Sequence, residues 1–287
     1  MAKIKIVTDS TADIPKDLAK ELGIEVLPLT LKANGKEYYD GVDITPQEFY
    51  EILESCDDVP TTSCVAPALY TDLYEKTFEE GYTDLILTSL NSKGSSTYQG
   101  SLMAKDMFFE DHPEAEGKFN IHNIDSMTYS MCYGWAVVEA ARKNNEGASV
   151  EEIIEGIKDW VANVRPLFVP MNLKFVKKSG RVSAAAAFVG DALGLKPVIT
   201  FEDGESKVVS KIRGEKKIVK ELLEMVKSDR VEGTPYILVY GNNDEQYAKL
   251  RESCIEALGE APVLEYPIGC VIGINTGPNI VAVIYKR

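Results

Sequence analysis

The sequence predicts an α/β fold in two domains, residues 1–163 and 164–287, and three observations carry that reading. A chain of 287 residues with 45% hydrophobic side chains is long enough to bury more than one core. Apolar strand-like runs alternate with helical segments as far as about residue 165, the pattern of a mostly parallel sheet with helices on both faces. Beyond that point the texture changes to an alanine-rich stretch and a hairpin signal, which marks a second domain.

In order along the chain, Ile4, Ile6 and Val7 make a first strand. Pro15 suits a first helical turn and Gly23 a helix stop. "IEVLPLTLKANGKEYYDG" reads as a strand followed by a hairpin around Asn34-Gly35. Helices are expected near 46–55 and 67–80, a strand in "YTDLILTSL", and a helix at about 96–110 after a hydroxyl-rich loop. "KFNIHNIDS" is a further strand. Helices follow over 126–145 and 149–164, the latter with Ser149 as N-cap ahead of Glu151 and Glu152. In the second domain "SGRVSAAAAFVGDALGL" reads as a helix, and 196–213 as a hairpin around Asp203-Gly204. A helix over 215–228, a strand over 236–240, a helix over 244–258 and strands near 262–266 and 279–286 complete the expectation.

Composition excludes several classes. The net charge of −14 repels nucleic acid and anionic membrane. No apolar run approaches the roughly 20 residues of a membrane span. The amino-terminal "MAKIKIVTDS" enters a strand without an apolar leader, so the expected location is cytoplasmic. Five scattered cysteines without a C-x-x-C pattern predict reduced thiols rather than disulfides or a zinc site. One segment runs against the overall charge: Lys174 to Lys220 holds eleven Lys/Arg against five acids, which suits either an ordinary basic surface or a docking face for an acidic partner or phosphate.

Ligands of open parallel sheets sit outside the carboxyl ends of the strands. Here those ends carry small polar residues: "TDSTAD" (8–13), "TTS" (61–63), "SKGSST" (92–97) and "IDSMTYS" (124–130). Each is an ordinary helix cap when taken alone. Together they suit an anionic head held by backbone N–H groups and by rotatable hydroxyls. Nucleotide-binding motifs are absent, as is a G-x-S-x-G elbow. His112 reads as a loop residue and His122 as structural, and Asp9, Asp13, Asp40 and Asp43 show no metal-ligand pattern. The hydroxyls therefore read as binders rather than catalysts, with no metal and no cofactor expected.

In order, "VTDSTADIP", "TTS", "SSTYQGS", "IDSMTYSMCYG", "LKFVKKSGRVSAAAAFVGDALGLKPVI" and "NTGP" resemble the DegV family, the fatty-acid-binding subunits of the bacterial fatty acid kinase. The resemblance spans 4 to 284. It implies a three-layer N-terminal domain with a mostly parallel sheet and a two-layer C-terminal α/β domain with a mixed sheet. It further implies one long-chain fatty acid in a buried tunnel between the domains, phosphorylated to acyl-phosphate by a separate ATP-dependent kinase. The chain itself would then be a carrier and not an enzyme. Matched residue by residue, the carboxylate falls to Thr62 and Ser95 with Ser63 and Ser96 as neighbours, and Asn275 and Thr276 belong to the C-terminal motif. Lys177, Lys178 and Arg181 fall in the region implied to dock the partner or to supply charge near the headgroup.

Three loops depart from the family pattern. H-T-G-P-G reads "NTGPN", S-S-x-L-S-G-T-Y-Q reads "NSKGSSTYQ" with Gly94 in place of leucine, and T-S-Q-P-S-P reads "TTSCVAP". Asn275 can donate a hydrogen bond but cannot carry a charge where the family has histidine. Two alternatives stand beside the carrier: a lipid-binding paralogue not coupled to a kinase, and an enzyme acting on a small keto or phosphorylated substrate.

Overall fold

The computed structural model describes residues 2–56, 58–183 and 194–287. The chain divides into two compact units. The first comprises Met1–Leu31, Tyr38–Val42 and Thr62–Ala162; the second comprises Lys32–Glu37, Asp43–Thr61 and Asn163–Arg287.

In the first unit, β1 (Ile4–Asp9), β2 (Glu25–Leu27), β6 (Asp84–Ser89) and β7 (Asn120–Asp125) form a wholly parallel sheet of order β2–β1–β6–β7. The chain leaves β1 through α1 (Lys16–Leu22) in one direction and leaves β6 through α4 (Thr97–Asp111) in the other. Right-handed crossovers then put α1 and α4 on opposite faces. Helix α5 (Met131–Asn145) packs with α1, and α3 (Pro67–Glu79) with α4. Helix α6 (Val150–Asn163) opens on the expected cap: Ser149 N donates to Glu152 Oε2 at 2.9 Å, and Glu152 N donates to Ser149 Oγ at 3.2 Å.

Differences from the sequence reading have local causes. The strand read through "IEVLPLTL" breaks at Pro28, leaving β2 and β3 (Thr30–Ala33). Strand β3 pairs with β4 (Lys36–Tyr39) through Asn34 and Gly35, both at positive φ as the hairpin requires; with β5 (Thr61–Ser63) they form a small sheet of order β4–β3–β5. The helix expected from 126 begins only at Met131, because 126–130 is a tightly hydrogen-bonded loop.

The second unit is built on a six-stranded mixed sheet. Its strands are β8 (Val164–Pro170), β9 (Leu195–Glu202), β10 (Glu205–Arg213), β11 (Tyr236–Tyr240), β12 (Leu264–Pro267) and β13 (Ile280–Lys286), in the order β10–β9–β8–β13–β11–β12. Only β11 and β12 run parallel. The hairpin at Asp203-Gly204 is present, again with both residues at positive φ. Helices α8 (Ile218–Asp229) and α9 (Asp244–Leu258) cover the sheet through Leu222, Val226, Leu250 and Cys254, packed against Leu167, Val198, Leu238 and Val283. Helix α2 (Pro46–Ser55) belongs here because Tyr50 donates to Ile268 O and Asn242 Nδ2 to Glu54. Two short helices, α7 (Leu173–Ser179) and α10 (Cys270–Thr276), pack on one another. The alanine-rich helix read over 183–195 lies, for 184–193, outside the described residues.

The loop after β11 rests on the backbone of 278–280. Gly241 N donates to Ile280 O at 2.9 Å and Asn242 N to Pro278 O at 2.8 Å. A Cβ at Gly241 would stand 1.8 Å from Pro278 O, so neither backbone can keep its place. Gly241→Ala is expected to destabilise the protein by on the order of 1–3 kcal/mol, read as a lower urea midpoint; an unchanged midpoint would show that the two segments separate freely.

Candidate functional site

Opposite winding on either side of β1 and β6 leaves a crevice outside their carboxyl ends, where the sheet changes direction. Asp9 closes β1 there, fully buried. Its Oδ1 accepts from Thr11 N (3.1 Å), Thr11 Oγ1 (2.6 Å) and Tyr133 OH (2.8 Å), and its Oδ2 accepts from Leu90 N (2.9 Å). One carboxylate thus ties β1, the residue after β6 and helix α5 together. Burial outweighs these hydrogen bonds and raises the Asp9 pKa above the ordinary carboxylate value. Burial and the adjacent Asp9 carboxylate likewise push the Tyr133 phenol far up.

Two further hydroxyls lie buried beside this carboxylate. Tyr70 on α3 and Ser89 at the end of β6 stand near each other, yet neither Tyr70 Oη nor Ser89 Oγ makes a hydrogen bond of normal geometry among the described residues. Burial, Asp9 and Tyr74 hold the Tyr70 phenol above its usual range, and Cys64 just after β5 adds to the shift. A buried polar atom without a partner carries a desolvation cost that a ligand or a water can relieve.

The residues singled out from the sequence fall into two groups. Thr62, Ser63, Ser95 and Ser96 all belong to the first unit. Thr62 is half-buried on β5 and Ser63 exposed beside it; neither hydroxyl has a hydrogen-bond partner among the described residues. Half-buried Ser95 precedes α4: its Oγ accepts from Thr97 N at 3.2 Å and lies 2.9 Å from Thr97 Oγ1. Ser96, exposed at the N-cap position itself, caps nothing with its side chain. Ser95, one residue ahead of the N-cap position, thus meets the first backbone N–H of α4, and the Ser96 side chain meets none.

Asn275, Thr276, Lys177, Lys178 and Arg181 belong to the second unit. Asn275 Nδ2 donates to Val271 O at 2.7 Å, and Thr276 Oγ1 lies 3.1 Å from Ile272 O, so both side chains bond back to their own helix. The "NTGP" turn meets the basic helix: a Cβ at Gly277 would lie 3.0 Å from the Phe175 ring of α7. Lys177, Lys178 and Arg181 are exposed at and just beyond the end of α7, and Arg181 Nη1 donates to Ser179 O at 2.9 Å. The C-terminal motif and the basic segment, more than ninety residues apart in sequence, are neighbours.

Among the described residues no group of three or more His, Cys, Asp or Glu side chains is placed to hold a metal ion. No helix among them is long and apolar enough to cross a membrane. His122 Nε2 lies 3.0 Å from Asp84, and His112 stacks on Phe108 and pairs with Glu114 and Glu75. All five cysteines are free thiols. Residue-by-residue reading did not single out Tyr70 or Tyr133. The signal for Tyr133 was its place in the "IDSMTYSMCYG" stretch, three residues after the "IDSMTYS" loop.

The sequence model of the DegV family matches residues 3–287. A DegV domain-containing protein of Caldanaerobacter subterraneus is 34% identical over 289 residues, covering 100% of each chain. Among solved structures, a DegV family protein from Thermus thermophilus, described for its fatty acid binding, superposes with a TM-score of 0.87 at 30% identity, over 99% of this chain and 100% of that one. DegV from Bacillus subtilis, described as a fatty acid binding protein, gives a TM-score of 0.86 at 26% identity over 100% of both chains.

Proposed function

We propose, taking as premise that this chain belongs to the DegV family, that it binds one long-chain fatty acid in a buried tunnel and holds the carboxylate at Thr62 and Ser95. Ser63 and Ser96 flank that headgroup. Asn275 and Thr276 are further candidates through their place in the C-terminal motif. The observation that carries the reading is a set of hydroxyls of the first unit that the fold leaves little used: Thr62 and Ser63 on β5 and Ser96 before α4 are unpartnered among the described residues, and half-buried Ser95 is tied only to the start of α4. Relatives described as fatty acid binding, matched over the whole length, name the ligand class.

The energetics fit a carrier. At about 0.8 kcal/mol per buried CH₂, a sixteen-carbon chain gains roughly 10 kcal/mol on leaving water. The headgroup then needs only register, and neutral hydroxyls supply it while leaving the carboxylate oxygens nucleophilic. A separate kinase would phosphorylate that carboxylate, with Lys177, Lys178 and Arg181 as its docking face. In that arrangement the chain carries the lipid and performs no chemistry. A carrier without kinase coupling is the second reading, favoured by Asn275, whose amide bonds to its own helix and cannot take the proton that a histidine could.

Mass spectrometry of an organic extract from freshly purified protein, beside native mass spectrometry of the intact chain, tests the binding. A long-chain fatty acid at one per chain is expected. A lipid-free protein that takes up neither added palmitate nor oleate would overturn the proposal.

A further inference from the structure

The most strained backbone among the described residues is the loop between β7 and α5. Met127 has φ 52°, and Ser130 has φ 56° with ψ −148°, a conformation that is essentially glycine's. Such strain persists only where the surroundings over-determine it. Here Ser130 Oγ donates to Asp13, and Ser130 O accepts from Tyr133 N (3.2 Å) and Gly134 N (3.1 Å). Asp125 Oδ1 accepts from Met127 N (3.0 Å) and from Ser92 N (3.2 Å). Asn91 N donates to Thr128 O at 3.0 Å.

Between the two strained residues stands Tyr129, whose phenol lies across the headgroup loop. Asn91 Nδ2 donates to Tyr129 Oη at 3.1 Å, and Gly94 N closes the turn onto Asn91 O at 3.0 Å. A Cβ at Gly94 would lie 2.2 Å from Tyr129 Oη, 3.0 Å from its Cζ and 3.1 Å from its Cε1. Gly94 does not have positive φ, so its backbone is one that any residue can adopt. It is a glycine for space alone. One of the positions at which this chain departs from the family pattern is thus the position the tyrosine covers.

We infer that Tyr129 is a positioning residue: it clamps the 91–94 turn and thereby sets the Ser95 hydroxyl, with Gly94 supplying the space the clamp needs. The inference rests on the fatty-acid reading for what Ser95 holds, but not for the clamp itself. Strain at Met127 and Ser130 aims the phenol at the turn, and the hydrogen bonds that Asp13 and Asp125 accept and Asn91 N donates keep that strain in place.

The test uses the full chain and the variants Tyr129→Phe, Gly94→Ala and the two combined. Amide hydrogen exchange of 90–97 reports the turn. The affinities for palmitate and for hexadecanol report the headgroup, since both carry the same tail. Tyr129→Phe is expected to speed exchange of 90–97 and to weaken palmitate about tenfold while leaving hexadecanol nearly unchanged. Gly94→Ala is expected to do the same, and the combined variant no more than the stronger single, because both break one contact. Equal loss for palmitate and hexadecanol would mean general loosening and would overturn the inference, as would wild-type behaviour of Tyr129→Phe, which stands even where Gly94→Ala fails to fold. If the wild-type chain takes up no palmitate, it is the fatty-acid reading that fails. Exchange over 90–97 then decides alone: faster in Tyr129→Phe upholds the clamp, and unchanged removes it.

Discussion

Protein carrying Thr62→Ala together with Ser95→Ala is expected to purify with far less fatty acid than the wild type and to show the same fold. Two hydrogen bonds to an ionised carboxylate contribute about 1.5 kcal/mol each, some 3 kcal/mol together, or about a hundredfold in affinity. The apolar tail keeps most of its roughly 10 kcal/mol, so binding weakens without vanishing. Structural cost should be small. Thr62 Oγ1 has no partner among the described residues, and Ser95 contributes a cap-type bond from Thr97 N, typically worth about 1 kcal/mol, beside its 2.9 Å contact with Thr97 Oγ1. Circular dichroism and urea unfolding check the fold, and extracted lipid per chain checks the binding. Full retention by a folded double variant would remove these two hydroxyls from the headgroup site.

The parts of the fold that were legible are those whose cause is local. Asn34-Gly35 and Asp203-Gly204 announce hairpins because both residues of such a turn need positive φ, and both pairs have it. Ser149 announces α6 because a hydroxyl there can meet the N–H of Glu152. Strand β8 was hidden by Pro166 and Pro170, which argue against a strand at the centre of a sheet. It lies between β9 and β13 all the same, with those prolines opposite Ile284 and Ile280. Helix α10 was hidden because "CVIGINT" is buried almost all round and carries no helical stripe. That α2 belongs with the second unit depends on Tyr50 reaching Ile268, a contact 218 residues away. The site divides the same way. Thr62 and Ser95 are named as candidates through the family resemblance of two short motifs. The clamp by Tyr129 joins two separated segments and the network around Asp9 joins three, and no single stretch of sequence contains either.

The Asp9 network predicts a pH dependence of stability. Asp9 accepts four hydrogen bonds, from Thr11 N, Thr11 Oγ1, Tyr133 OH and Leu90 N, and is wholly buried. In Asp9→Asn one oxygen becomes an NH₂ group, so whichever way the amide turns, at least one of these donors faces another donor. Leaving a buried donor unsatisfied costs about 1–3 kcal/mol, expected as a lower urea midpoint and as loosening of the loop after β6 where Leu90 N was held. The sign with pH follows from burial, which raises the folded pKa above the ordinary 3.8. Between the unfolded and the folded value, the native chain binds more protons than the unfolded one. The stability Asp9 contributes is therefore fully present below the unfolded pKa and is lost as pH rises through the folded pKa. Asparagine has no such dependence. The gap between wild type and Asp9→Asn should accordingly be wider at pH 4 than at pH 7. Urea unfolding of both proteins at the two pH values decides it: a gap that widens as pH rises would mean that the four hydrogen bonds outweigh burial and that the carboxylate is held ionised in the fold.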